Sequence, residues 1–176
     1  MIRKLDHRTI AFAVVCSSVV AADQYTKVLV RRYLPLNASW NPIPWLDRIV
    51  TLTRVHNTGA AFGLFPNMSI VFVIVALVVI GCIVAYHRRL AQASWVLRLA
   101  LGLQLGGATG NLIDRLVRGY VTDFIDLRVW PVFNVADSSL VVGTAMVAYY
   151  ALFMDRAQED IQSSEGEPEA LDANGC

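Results

Sequence analysis

Four apolar stretches, each near the length of a bilayer-crossing helix, constrain this chain more than any other feature; they cover about residues 9–30, 68–86, 95–113 and 135–153. Inside hydrocarbon every backbone N–H and C=O must be satisfied by the chain itself, which favours helices, and about 20 apolar residues suffice to cross. The second stretch, MSIVFVIVALVVIGCIVAY, carries no charge. The third is less apolar, with Arg98 near its start and Gln104 inside, and repeats glycine at Gly102, Gly106 and Gly110. That four-residue spacing lets helix backbones approach closely. The expected fold class is therefore an all-α membrane protein with four transmembrane helices. The first stretch, preceded by MIRK and running to VVAAD, also admits a reading as a secretory signal cut after Ala22. The three later apolar stretches and the continuation QYTKVLV favour a retained helix.

The segment between the first two stretches contains NPIPW, which reads as a turn, and RIVTLTRVHN, whose β-branched residues read as a strand. Turn chemistry follows in NTGAAFG. A small β-rich element at the membrane surface is expected there, and a short basic loop is expected around HRRLAQAS. Residues 1–154 read as one integral-membrane domain. Residues 155–176 are acidic and free of aromatics and read as a disordered tail.

Composition narrows the function classes. The chain is 56% hydrophobic and only 16% charged, against about a quarter charged in soluble domains. A net charge of +1 gives no basic field for nucleic acid. Cys16, Cys82 and Cys176 lack metal or disulfide spacing, and His7, His56 and His87 form no HExxH motif. No metal or other cofactor is expected. The basic residues divide almost evenly between the two ends of the helices, so the positive-inside rule orients the chain only weakly, towards termini inside.

A charge within the bilayer costs at least about 2.5–3.5 kcal/mol, so intramembrane acids need a partner or a task. Alternating spans gather the polar residues at one surface: Asp23 and Lys27 leave the first stretch, and Asn111, Asp114 and Arg115 leave the third. Asp123 follows, and Asn134 and Asp137 open the fourth. Asp23 and Lys27 fit a simple ion pair at i, i+4, Asn134 fits a helix cap, and Asp126 reads as a solvated loop acid. Asp123 and Asp137 border apolar runs without a cation at helical spacing. Two carboxylates in one low-dielectric site cannot both ionise readily, which leaves one acid and one base near neutral pH. That pair suits water attack on an amide. It also suits a proton relay in a small proton-coupled membrane transporter.

Five motifs in order, DQYTK at 23–27, NTGAAFG at 57–63, GGATGNLIDR at 106–115, GYVTDFIDL at 119–127 and FNVADSS at 133–139, together resemble the lipoprotein signal peptidases, the bacterial type II signal peptidases. The resemblance covers about residues 9–154. It implies four transmembrane helices, a small β-rich periplasmic element and a segment over the site, in the bacterial inner membrane with cytoplasmic termini. It implies an aspartic endopeptidase with Asp123 and Asp137 as the catalytic pair. Asp23, Lys27, Asn57, Gly59, Asn111, Asp114, Arg115, Asn134 and Ala136 match the family's other functional positions. The implied partners are membrane lipid and prolipoproteins, cut just before an S-diacylglyceryl cysteine. Asn57, Asn111 and Asn134 are expected to satisfy backbone groups of a locally unwound substrate.

Overall fold

The computed structural model describes residues 7–59 and 68–154. Four helices, α1 (His7–Tyr33), α2 (Ser69–Ala93), α3 (Trp95–Arg118) and α4 (Val135–Tyr149), coincide with the four apolar stretches. The last continues as a π-helical turn, Tyr150–Met154. Two of them, His7–Tyr33 and Val135–Phe153, are long and apolar enough to cross a membrane, and Ser69–Ala85 is apolar but shorter. The expected acidic tail lies outside the described residues, as do residues 60–63 of NTGAAFG.

The helix whose apolar run is interrupted by Arg98 and Gln104 sits in the middle. α3 packs against α1, α2 and α4, so its polar positions face protein. Its glycines explain the closeness. A Cβ on Gly106 would stand 2.6 Å from Val19 Cβ and 2.9 Å from the Cys16 carbonyl of α1, and one on Gly107 would stand 2.5 Å from the Ala136 carbonyl of α4. The glycine face expected from the sequence is thus the α1 contact, and a second glycine serves α4.

The basic loop expected at HRRLAQAS is absent. α2 continues to Ala93, and Ser94 alone, at φ −155° and ψ 147°, separates it from α3. Leu, Arg, Ala and Gln are strong helix formers, and Ser94 caps the next helix by accepting from Val96 N at 3.1 Å. At the other end Gly119 adopts φ 79°, the left-handed conformation glycine tolerates, and closes α3 through its N–H to the Arg115 carbonyl.

The remaining chain forms a three-stranded antiparallel sheet in the order β1 (Ser39–Trp40), β2 (Thr51–Asn57), β3 (Val121–Asp126). NPIPW is a turn containing a single 3-10 turn, Pro44–Leu46. β2 falls within the expected strand. Neither β1 nor β3 was expected, and β3 corrects the reading of Asp126 as a loop acid, since Asp126 ends that strand. VTDFID has weak local strand character, and its partner β2 lies over sixty residues earlier: Val55 stands opposite Asp123 and Asn57 opposite Val121.

Candidate active site

β3 and α4 bring the two acids to one cleft. Asp123 is 2% exposed. Its Oδ2 accepts from Asn57 Nδ2 at 2.9 Å, because residues two apart on a strand share a face and the register sets Asn57 beside it. Its Oδ1 accepts from Asn134 Nδ2 at 2.6 Å. Asn134 caps α4 as its sequence position suggested. Asn134 Oδ1 accepts from Asp137 N at 2.9 Å, while Asp137 Oδ2 accepts from Asn134 N at 3.2 Å, a reciprocal capping box. Asp137 is therefore held in the first turn of α4, where the helix dipole favours a negative group.

Asn111 of α3 links the halves. Its Nδ2 donates to Asp137 Oδ1 at 2.7 Å, and its Oδ1 accepts from Lys27 Nζ at 3.0 Å and from Asn134 Nδ2 at 3.2 Å. Lys27 has only protons to offer, which forces the Asn111 oxygen towards it and the NH2 towards Asp137. The amides of Asn57, Asn111 and Asn134 are thus all engaged with the carboxylates and each other.

Asp23 and Lys27 are not a simple pair. Both are fully buried, and Lys27 Nζ lies 2.9 Å from Asp23 and 3.2 Å from Asp114, also fully buried. Asp23 Oδ1 accepts the Ala136 N–H at 3.1 Å, fastening α1 to the start of α4. Ala136 is buried against Gly107 and Gly110, which leaves no room for a larger side chain. Asp114 Oδ2 accepts from Thr122 N at 3.0 Å, and its Oδ1 pairs with Arg118 at 3.0 Å and Arg31 at 3.5 Å. Each buried charge is therefore compensated, which a low-dielectric site requires.

Arg115 reaches Gly59 O at 3.4 Å and lies 5.2 Å from the Phe72 ring centre, and Gly59 N donates to Asn57 Oδ1 at 3.0 Å. Every candidate site residue from the sequence thus belongs to one connected region. Asp126 ends β3 and accepts from Thr53 Oγ1 and Arg128 N, away from this network. Sequence reasoning missed Arg31 and Thr122, which bond each other at 3.1 Å beside Asp114, and Gln24, which ties Asp23 to the Gly110 carbonyl. Their partners are remote in the chain, and no local spacing marks them.

The acids face a cleft of about 450 Å³, walled by Phe72, Val75 and Val79 of α2, Leu140 of α4 and the 130–133 segment. Burial, and then the neighbouring charge of Asp137, push the Asp123 carboxyl up to about 7; the Asn57 and Asn134 hydrogen bonds and Lys27 oppose that rise. Chemically the cleft offers a carboxyl that holds its proton near neutrality beside one held by N–H donors.

These features define a class: a helix bundle with paired carboxylates at one mouth, two of its helices apolar and long enough for a bilayer. Comparison makes the class particular. The sequence profile described as Signal peptidase (SPase) II matches residues 15–153. The lipoprotein signal peptidase of Moorella thermoacetica is 46% identical over 141 residues, 80% of this chain and 92% of that protein. That of Halothermothrix orenii is 42% identical over 132 residues, 75% and 88% of the two chains. A bacterial membrane enzyme solved by the in meso method shares the fold at TM-score 0.75 and 29% identity, covering 92% of this chain and 94% of its own. The chain belongs to the signal peptidase II family, and so is a peptidase.

Proposed function

We propose that this chain is an aspartic endopeptidase that removes signal peptides from prolipoproteins, cutting just before the S-diacylglyceryl cysteine, with Asp123 and Asp137 as its catalytic pair. The observation that carries this reading is the pair itself: two carboxylates on one cleft, Asp123 buried and protonated near neutral pH, Asp137 held by the Asn134 and Asn111 N–H groups. Asp137 takes a proton from water. The oxygen of that water bonds to the scissile carbonyl carbon while Asp123 gives its proton to the carbonyl oxygen. The proton on Asp137 then passes to the departing nitrogen as the C–N bond breaks, and one hydroxyl proton of the intermediate returns to Asp123 as the new carboxyl group forms. The chemistry requires neither metal nor covalent intermediate. Asn57, Asn111, Asn134 and Lys27 fix the carboxylates, and Asp23, Asp114 and Ala136 fix the helices that carry them. Arg115 and Gly59 border the cleft.

In this reading residues 1–154 are one domain whose four helices all cross the bacterial inner membrane, with cytoplasmic termini and the site near the periplasmic surface. The names of the relatives support the substrate class. The lipid on the cysteine anchors the peptide in the leaflet, so the scissile bond is held at the depth of the acids and orientation replaces a long recognition sequence. The test compares purified wild type, Asp123→Asn and Asp137→Asn on a preprolipoprotein with and without its diacylglyceryl group, with products read by mass spectrometry. Cleavage at the bond immediately preceding the lipidated cysteine, by wild type alone, is expected. Near-normal turnover in either variant refutes the pair, and equal cleavage of unlipidated substrate refutes the substrate class.

A further inference from the structure

A second concavity, of about 740 Å³, lies between the end of α1 and the sheet, lined by residues that include Leu29, Val30, Leu34, Leu52 and Phe124. Its size is that of small-molecule sites, about 300–1,000 Å³. It is not the peptidase cleft: Phe124 lines this groove and Asp123 lines the cleft, and successive strand residues point to opposite faces. Tyr33 and Trp40, 71% and 57% exposed, also line it, and such aromatics sit at the headgroup level of bilayers.

Cations gather beside this groove in excess. Arg54 Nη1 donates to the carbonyls of Leu34, on the groove wall, and Arg31, at 3.1 and 3.2 Å. Arg31 and Arg118 share Asp114. Around Arg31 the cations Arg54 and Arg118 stand beside a single carboxylate, Asp114, which also pairs with Lys27, so positive charge is left over among the described residues. Moreover Arg31 Nη2 and Arg54 Nε are buried without a hydrogen-bond partner. Unspent guanidinium N–H groups with surplus charge match a phosphate diester.

We propose that this groove seats an acyl chain of an anionic phospholipid whose phosphate is held by Arg31, Arg54 and Arg118. The apolar wall fits the chain, the arginines fit the phosphate, and a diacylglyceryl cysteine carries no phosphate to occupy them. The inference therefore does not rest on the peptidase reading.

The test uses the full chain purified in detergent, with bound lipid counted by native mass spectrometry. Phosphatidylglycerol should be retained over phosphatidylcholine by at least about fivefold, the worth of one basic contact at an anionic surface. Arg31→Gln with Arg118→Gln should erase that preference, and Val30→Trp, which fills the groove without touching the arginines, should lower retention of both lipids. Equal retention of the two lipids by wild type overturns the proposal whatever the variants do. Displacement of the lipid by inorganic phosphate alone would reassign the arginines to a free anion. Displacement by a diacylglyceryl peptide would reassign the groove to substrate. Either result overturns the proposal.

Discussion

Asp123→Asn should make the protein more stable at pH 8 while abolishing cleavage. The carboxyl is 2% exposed and its pKa is raised from 3.8 to about 7. The folded state therefore holds this proton more tightly than the unfolded one. The stability it contributes is complete below the unfolded value and is lost as pH climbs through about 7. At 1.36 kcal/mol per pH unit, the ionised carboxylate costs on the order of 4 kcal/mol at pH 8. Asparagine removes that cost but keeps one acceptor oxygen, so either Asn57 or Asn134 loses its partner, at about 1–3 kcal/mol. The variant should gain about 1–3 kcal/mol at pH 8, or roughly 2–12 °C at about 2–4 °C per kcal/mol for a chain of this size. Towards pH 4, near the unfolded value of 3.8, only the lost hydrogen bond remains and the order should reverse. Unfolding followed by tryptophan fluorescence in detergent from pH 4.5 to 8 measures the crossing. Parallel curves, or a variant less stable throughout, would refute the reasoning that burial holds the proton on Asp123.

Other perturbations separate the parts of the site. Asn134→Ser keeps a capping hydroxyl but removes the amide that opposes the rise at Asp123; the alkaline limb of the pH–rate profile should move upward, and a downward shift would contradict the assignment of Asp123 as the acid. Lys27→Met leaves Asp23 and Asp114 buried without their shared cation; folded yield should fall as for a loss of about 3–5 kcal/mol, whereas wild-type thermal stability would remove Lys27 from the network. Gly106→Ala sets a Cβ 2.6 Å from Val19 Cβ and should cost about 1–3 kcal/mol by overpacking, while Gly81→Ala, with nothing within 4 Å, should be neutral or stabilising; equal effects at both positions in a thermal-shift assay would show that helix contact is not the cause.

The helices were legible because their signal is local: apolar length, Asn134 as a cap, and the glycine face of α3. The acids were legible because charge is conspicuous in an apolar chain. What escaped is what only pairing creates. VTDFID becomes a strand because β2 is beside it, not because its residues demand one. Arg31, Thr122 and Gln24 look ordinary until α3 and β3 are docked, their partners lying 83, 91 and 86 positions away. The asparagines were identified as site residues, but their bonds to the carboxylates were not, since the direction of an amide depends on Lys27, a donor on another helix.

The bond from Asp23 to the Ala136 N–H spans 113 residues, and it bears on how a growing chain matures. During synthesis α1 emerges before α4, so Asp23 waits for 113 further residues to be added before its partner exists. Asp137 and its Asn134 cap arrive in that same segment. A nascent chain stalled before α4 holds Asp123 without Asp137, so on the proposed pairing it is an inert helical fragment. On that reading the emergence of α4 is itself the activating step, and a quality-control protease that removes unfinished chains has no stray hydrolytic activity to contain.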